Sequence, residues 1–215
     1  LLLLFTFSLK AQDVHFSQFT VSNIALNPAI VGNQSADFKT SFQKRTQWQS
    51  VADPFNTVAA NFEAKEILKK TSVGLQFIHD VAGDANFTTS QFNTAINKSF
   101  SIDRDKEISA GILLGFTQRK IDFSNLIFEE NENLQNPSFI YFDVGIGVNY
   151  AAMINDNFSF ISGLSAFHIN KPKQTLIDDE SVQLDEKYNS YFQSFYRINN
   201  TIILNPAFLY SRQGK

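Results

Sequence analysis

The sequence contains no cysteine, which excludes disulfides and thiolate metal sites. Charged residues are scarce as well, at 18% against about 25% in soluble domains. The net charge is −3 and there is no basic block, so nucleic acid is not an expected partner. After the N-terminus, no stretch approaches the roughly 18 apolar residues of a membrane-spanning helix. If the chain crosses a membrane, it must therefore cross it as strands.

Phenylalanine, by contrast, is abundant, with 23 among 215 residues. This excess is typical of many short strands that each have one apolar face, and it fits a helical bundle less well. The length allows one domain with a sizeable core, or one barrel.

The first residues form an apolar run, 1–9, of the length found in the core of a signal peptide. The run has no initiating Met and no basic region before it, so we expect the sequence to begin inside a signal peptide. We assign residues 1–11 to this remnant, with cleavage after Ala11. A buried N-terminal strand is the alternative. The pattern predicts an exported protein.

Two segments, 107–120 and 139–152, alternate strictly between apolar and small or polar residues. Each is long enough for the 9–11 residues that a tilted strand needs to cross a bilayer. The alternation predicts lipid-facing side chains at Ile112, Leu114, Val144 and Ile146. It predicts inward-facing residues at Ser109, Gly111, Gly115, Asp143, Gly145, Gly147 and Asn149.

Weaker alternation predicts seven further strands, at 37–48, 56–64, 72–79, 87–100, 158–169, 191–197 and 201–212. Pro206 lacks a backbone donor, which predicts a bulge or a pairing defect in the last strand.

The connections alternate between short (101–106, 153–157, 198–200) and long (126–137, 170–187), as in outer-membrane barrels with short periplasmic turns and long outer loops. We therefore predict a transmembrane antiparallel up-and-down β-barrel over 36–215, preceded by an irregular segment at 12–35. Nine strands is an odd number, so we expect C-terminal strands to be missing from this chain. A soluble β-sandwich is the alternative.

Three motifs carry a resemblance to a known family. The first is QDVHFSQFTVSNIALNPAIVG at 12–32, the second is RTQW at 45–48 with a downstream Pro54, and the third is GLSAFHINKP at 163–172. Together they resemble the PorP/SprF membrane proteins of the type IX secretion system.

The resemblance implies an outer-membrane component of type IX protein secretion and of surface adhesin assembly in gliding bacteria. It implies no enzymatic activity and no cofactor. The implied partners are other type IX secretion proteins, secreted cargo or adhesins, and outer-membrane lipid. A transport channel for small hydrophobic or polar solutes is the alternative. The motif residues implied in partner binding are Asn27, Pro28, Ala29, Gly32, Arg45, Gln47, Trp48, His168, Asn170 and Pro172.

The first motif also has a physical interpretation. Pro28 forces Asn27 out of the helical region, and Gly32 permits a tight turn, so the motif predicts a preformed bend. The bend either sets the chain direction or forms a docking surface. Trp48 stands at a strand end, where it either anchors the strand at the membrane interface or contacts cargo.

Residues that could carry chemistry show no usable pattern. The histidines His15, His79 and His168 lack metal-ligand spacing, and the acidic loop 178–186 lacks the spacing of a calcium loop. Ser165 and His168 are three apart on one predicted strand, so we expect them on opposite faces, out of contact. No catalytic, cofactor or metal site is predicted.

Four inward glycines on neighbouring strands (111, 115, 145 and 147) predict that something packs closely against this wall, or that the wall is sharply curved. The nearest candidate is segment 12–32, which carries Phe16, Phe19, Ile24 and Leu26 to bury. We expect it to lie in or across the periplasmic mouth and to present the Asn27-Pro28-Ala29 bend to a secretion partner.

Overall fold

The computed structural model describes residues 19–47, 54–83, 87–121, 137–174 and 182–214. Within these ranges each strand from β1 to β8 pairs antiparallel with the next, and β9 and β10 both pair with β8. The all-β, antiparallel up-and-down fold is therefore confirmed. The strands are β1 Phe38–Gln47, β2 Phe55–Leu68, β3 Thr71–Ala82, β4 Phe87–Ser101, β5 Lys106–Lys120, β6 Ser138–Asn155, β7 Phe158–Phe167, β8 Lys187–Arg197, β9 Ile203–Leu204 and β10 Ala207–Gln213.

The two faces of the sheet differ as the alternation predicts. In the β5–β6 pair, Ile112 lies opposite Ile146 and both side chains are exposed. Ser109 lies opposite Asn149, and both are buried on the other face. The period of two therefore separates an apolar outer face from a polar inner face along each strand.

The connections lie at the two ends of the sheet, and the three longest share one end. Residues 69–70, 102–105, 156–157 and 198–202 join strands at one end, which we call the short-turn end. Residues 48–54, 83–86, 121–137 and 168–186 connect strands at the opposite, long-loop end. In the turn 102–105 the Asp103 carboxylate accepts a hydrogen bond from the Asp105 amide at 2.9 Å, which lowers the pKa of Asp103.

The last predicted strand is divided in two. The chain leaves the ladder at Pro206, whose carbonyl accepts from the Ser194 amide at 3.0 Å, and β9 and β10 pair separately with β8. The expected pairing defect at Pro206 is confirmed, and the described ranges contain ten strands rather than nine. The strand predicted at 158–169 ends earlier, at Phe167, and the one predicted at 191–197 begins earlier, at Lys187.

The outer face carries aromatic side chains near both ends. Phe77, Phe92, Phe116 and Phe142 are cross-strand neighbours in a row from β3 to β6. A second group surrounds Phe160 near the short turns, where Tyr150 and Phe192 stack or tilt against it. Phe142 and Tyr150 are eight residues apart on β6, about 27 Å at ~3.4 Å per residue. With the usual strand tilt this approaches the roughly 25 Å apolar band of membrane barrels.

Three short elements precede the sheet: a 3₁₀ turn at Phe19–Val21, the single helical turn α1 at Asn23–Leu26, and a 3₁₀ turn at Pro28–Ile30. No helix in the described ranges is long and apolar enough to cross a membrane. Asn27 is extended (φ −164°, ψ 121°) and Gly32 has φ +81°, so the bend predicted from Pro28 and Gly32 is confirmed.

The sheet is curved around these N-terminal elements. The stretch 22–32 bonds to inward side chains on strands from β2 to β8. Adjacent strands lie about 4.8 Å apart, so a flat sheet could not bring all of them to so short a segment. Among the described residues no ladder joins β1 to β10, so the curved sheet is not closed.

Candidate functional site

Residues 19–33, which we call the inner segment, fill the short-turn half of the inner face. Ile24 is fully buried and packs in a cluster with Val31, Ala95, Leu113 and Phe167. A second cluster joins Leu26 and Ile30 to Tyr191. The predicted burial of Ile24 and Leu26 is confirmed, whereas Phe16 and the Phe19 side chain lie outside the described residues.

Two of the four inward glycines lie directly against the inner segment. A Cβ atom on Gly111 would come within 3.0 Å of the Pro28 and Ala29 backbone, and one on Gly147 within 3.0 Å of the Asn27 side chain. The expected close packing is therefore confirmed at these two positions.

The other two glycines have different neighbours. Gly115 faces the Asn93 side chain and Gly145 faces Phe167. Residues 12–18 of segment 12–32 lie outside the described residues, so its packing against these two glycines stays a prediction.

Glu63 of β2 is the charged anchor of the inner segment. Its buried carboxylate accepts hydrogen bonds at 3.0 Å from the Asn23 side-chain amide and from the Gly32 backbone amide. The Lys39 ammonium lies 3.4 Å from the other carboxylate oxygen. Because a buried carboxylate is costly unless it is paired, these contacts fix both ends of the bend to the wall.

The backbone carbonyls of the inner segment are satisfied by wall side chains. The Leu26 carbonyl accepts from Ser165 at 2.7 Å and from Asn189 at 2.9 Å. The Ala29 carbonyl accepts from Ser109 at 2.7 Å. An irregular segment buried without such donors would leave unpaired backbone groups, so these inward polar residues are what permit it to lie there.

The first and third sequence motifs meet at Asn27. The Asn27 side-chain amide donates to the carbonyls of Val148 and Leu164 at 3.0 and 3.1 Å, on strands β6 and β7. Its oxygen accepts from the Ala29 amide at 2.8 Å. Asn27, Pro28, Ala29 and Gly32 are all buried, so in this arrangement the bend faces the wall instead of a surface.

The third motif continues this contact beyond the end of β7. His168 has φ +59°, a left-handed conformation, which turns its side chain inward to bond Asp143 at 2.9 Å. Ser165 and His168 are therefore both buried on the inner side, and the prediction of opposite faces is wrong because the strand ends at Phe167. The Ser165 hydroxyl donates to the Leu26 carbonyl.

Asn170 and Pro172 complete the motif. The Asn170 side chain accepts from the Val144 amide at 3.1 Å and donates to the Phe142 carbonyl at 2.7 Å, which prolongs the hydrogen bonding of β6. The Pro172 carbonyl accepts from the Leu184 amide at 2.9 Å, within the long loop. The third motif thus ends β7 and orders the start of the following loop.

A cavity of about 490 Å³ occupies the long-loop half of the inner face. Ala25 of the inner segment contributes to its lining, at the side towards the short turns. The charged lining residues are Arg45, Asp80, Arg119, Asp143, His168 and Lys187, and the aromatic ones are Phe55, Phe87, Tyr141 and Phe167.

The second motif belongs to this cavity. Arg45 and Gln47 of β1 line it and are partly exposed, whereas Trp48 lies outside the described residues. The structure brings the first and third motifs into contact and places the second at the other end of the lumen. A partner-binding role for the ten motif residues stays a prediction.

The structure describes the histidines and acidic residues outside the third motif only in part. His79 stacks on Phe77 and bonds Ser90 at 3.0 Å, and His15 lies outside the described residues. No group of three or more His, Asp or Glu within the described ranges could hold a metal ion. Most of the acidic loop 178–186 is outside those ranges.

Sequence reasoning missed the anchoring residues of the wall, among them Glu63, Gln76, Asn97 and Asn189. The sequence does indicate that these residues face inward, because each is a polar residue at an inward position of the alternation. Their partners could not be deduced, because each contact joins the inner segment or another strand over a long sequence separation.

Antiparallel strands with an apolar outer face, a polar inner face and short turns at one end define a membrane protein of the β-barrel class. Residues 8–215 match the family described as Type IX secretion system membrane protein PorP/SprF, and the chain belongs to this family. It is therefore a membrane component of type IX secretion. No curated protein matches the chain.

Proposed function

We propose that the protein is a non-enzymatic outer-membrane component that binds secretion-machinery and cargo proteins at its two ends, with a lumen blocked by its own inner segment. The burial of residues 22–32 against the wall carries this proposal. A steady transport path is disfavoured because the segment occupies the short-turn half of the lumen.

Lipid contact restricts where partners can bind. The outer face of β3 to β6 is apolar along most of each strand and faces lipid, so partner proteins bind at the turns and loops. Of the family-motif residues that the structure describes, the accessible ones are Arg45, Gln47 and Asn170, all near the long-loop end. We assign them to partner contact, and we assign the buried motif residues to holding the inner segment and the loop in place.

Single-cysteine labelling on intact cells tests the outer-membrane orientation, since the chain has no cysteine of its own. Gln183→Cys in the long loop 168–186 should react with an impermeant thiol reagent, and Asn155→Cys beside a short turn should not. Both positions are exposed, so accessibility differs only by side of the membrane. The reverse pattern contradicts the orientation.

Removal of residues 12–30 downstream of an intact signal peptide tests the role of the inner segment. The sheet should still insert, because its ladders do not include these residues, while single-channel conductance rises and surface display of cargo is lost. Ser41→Ala on β1, which removes no direct contact of the inner segment and does not line the cavity, is the control. Steady solute-selective conductance by the unaltered protein favours the transport channel, and unchanged conductance with normal display leaves the segment without this role.

A further inference from the structure

Three residues form a cross-strand row on the inner face, at the level of the cavity. Asn93 of β4 lies opposite Gly115 of β5, and Gly115 lies opposite Asp143 of β6. Gly115 has no side chain, and a Cβ atom there would lie 2.5 Å from Asn93 Oδ1 and 3.4 Å from Asp143 Cβ. The row is therefore a notch between an amide oxygen and a carboxylate.

The orientation of Asn93 is fixed by a chain of amide hydrogen bonds. Gln76 donates through its nitrogen to Ser22 at 2.8 Å and to Asn61 at 2.7 Å, which leaves its oxygen to face Asn93. Asn93 donates to that oxygen at 2.9 Å, so its own oxygen points towards Gly115. No described residue donates a hydrogen bond to Asn93 Oδ1, although the residue is buried.

Asp143 also has a side-chain oxygen that no described residue bonds. One carboxylate oxygen bonds His168 Nδ1 at 2.9 Å, and the other, Oδ1, receives no hydrogen bond from the described part of the chain. The side chain is almost fully buried and lines the cavity together with Asn93. A buried carboxylate oxygen without a donor is unfavourable, so a strong donor at this point is strongly favoured.

We propose that Asn93 Oδ1 and Asp143 Oδ1 are the recognition end of a ligand site that takes a protonated amine or guanidinium group entering from the long-loop end. Both protein groups are acceptors and one is anionic, which matches a charged N–H donor. The pair lacks the larger ligand set that a bound metal ion would need.

The rest of the cavity indicates what else the ligand carries. Arg119 lies over the rings of Phe87 and Tyr141, at 5.8 and 5.6 Å from their centres, and Arg45 and Lys187 also line the space. These cations disfavour a second positive charge on the ligand, so the rest of the ligand should be neutral or acidic. The ligand class is therefore an amine with such a remainder, either a free amino acid or a lysine side chain on a polypeptide.

Calorimetric titration of the full chain in detergent tests the site with three probes. Nα-acetyl-lysine amide and free alanine each carry one ammonium group and should bind, and Nα-acetyl-glutamine amide, which lacks the charge, should bind roughly tenfold or more weakly. If Nα-acetyl-lysine amide binds more tightly, a polypeptide is indicated, and if free alanine binds more tightly, a small solute.

Two variants locate the binding. Gly115→Ser fills the notch, and Asp143→Asn removes the charge while keeping the shape, so each should weaken Nα-acetyl-lysine amide by roughly tenfold or more. Asp103→Asn removes an equal charge in the turn 102–105, outside this cavity, and it should change binding less than about twofold.

Hydrogen exchange of the inner segment, unchanged in each variant, shows that the fold is retained. Gly115→Ala is the substitute if Gly115→Ser fails to insert. The proposal is overturned if the unaltered protein binds neither amine probe at millimolar concentration, if the glutamine probe binds equally, or if Asp103→Asn weakens binding as much as Asp143→Asn.

Discussion

The inner wall has two halves that look alike in sequence and differ in structure. Gly111 and Gly147, in the short-turn half, are covered by the backbone and side chain of the 27–29 bend. Gly115 and Gly145, four and two residues away on the same strands, face side chains of neighbouring strands instead. The same residue type on the same face thus permits docking of a segment in one half and leaves space for a cavity in the other.

The two halves differ in which groups bond their inward polar side chains. In the short-turn half, inward Ser, Asn and Glu side chains bond the inner segment. In the long-loop half, Asn93 and Asp143 keep acceptor oxygens that no described residue satisfies. Inward polar residues alone therefore do not show whether the chain or a ligand is their partner.

The largest expected effect separates the two pairs of glycines. Gly111→Ala should force the inner segment from the wall, because its Cβ meets backbone atoms that cannot rotate away, and it should destabilise the docked state by about 3 kcal/mol or more. Hydrogen exchange over 19–33 measures this. Gly115→Ala is the control, since its Cβ meets the movable end of Asn93. Equal exchange in both variants contradicts the division into halves.

The next effect compares the two faces of the wall. Ile112→Arg should cost roughly 2–4 kcal/mol near the middle of the bilayer, and Gln91→Arg, which points into the cavity, far less. Unfolding of the reconstituted protein in urea gives both values. Asn149, which the alternation also places inward, is unsuitable as the inward control, because it is buried and bonded to Tyr191 and Ser109. Similar costs at Ile112 and Gln91 are incompatible with a lipid-facing outer surface.

The two buried carboxylates give a third comparison. Glu63→Ala should release the inner segment. It leaves the buried Gly32 amide without its acceptor, which costs roughly 1–3 kcal/mol, and it removes the shorter of the two hydrogen bonds of the Asn23 side-chain amide. Asp143→Ala, in the other half, should leave exchange at 19–33 unchanged. Loss of protection in both variants places Asp143 in the same cooperative unit as Glu63.

The smallest effect concerns two serines. Ser109→Ala removes a buried donor to the Ala29 carbonyl and should cost about 1 kcal/mol. Ser41→Ala removes an acceptor for Asn61 at the outer end of the network and should cost less than about 0.5 kcal/mol. Urea titration resolves the order, and a larger loss for Ser41 indicates that the network is anchored on β1.

Much of the fold was predictable because the signal is local. Alternation at Ile112 and Ile146, the lengths of the connections and the effect of Pro206 each depend on neighbours in the chain. The bend at Asn27-Pro28 was predictable for the same reason, since proline restricts the residue before it.

The site was less predictable because it depends on where strands end and on distant partners. His168 turns inward only because β7 stops one residue earlier, and the sequence around it gives no sign of a left-handed residue. Glu63 bonds Asn23 and Gly32, which lie 40 and 31 residues earlier in the chain, and no local pattern encodes such contacts.

The contacts of the inner segment with late strands determine when this segment can fold. Leu26 is bonded to Asn189, 163 residues later in the chain, and to Ser165 on the strand before it. The inner segment is made before all the strands that it contacts, and it completes its native contacts only after β7 and β8 have joined the sheet. Refolding should end in a distinct slow phase reported by residues 19–33, and until then Ile24 and Leu26 are exposed to other chains.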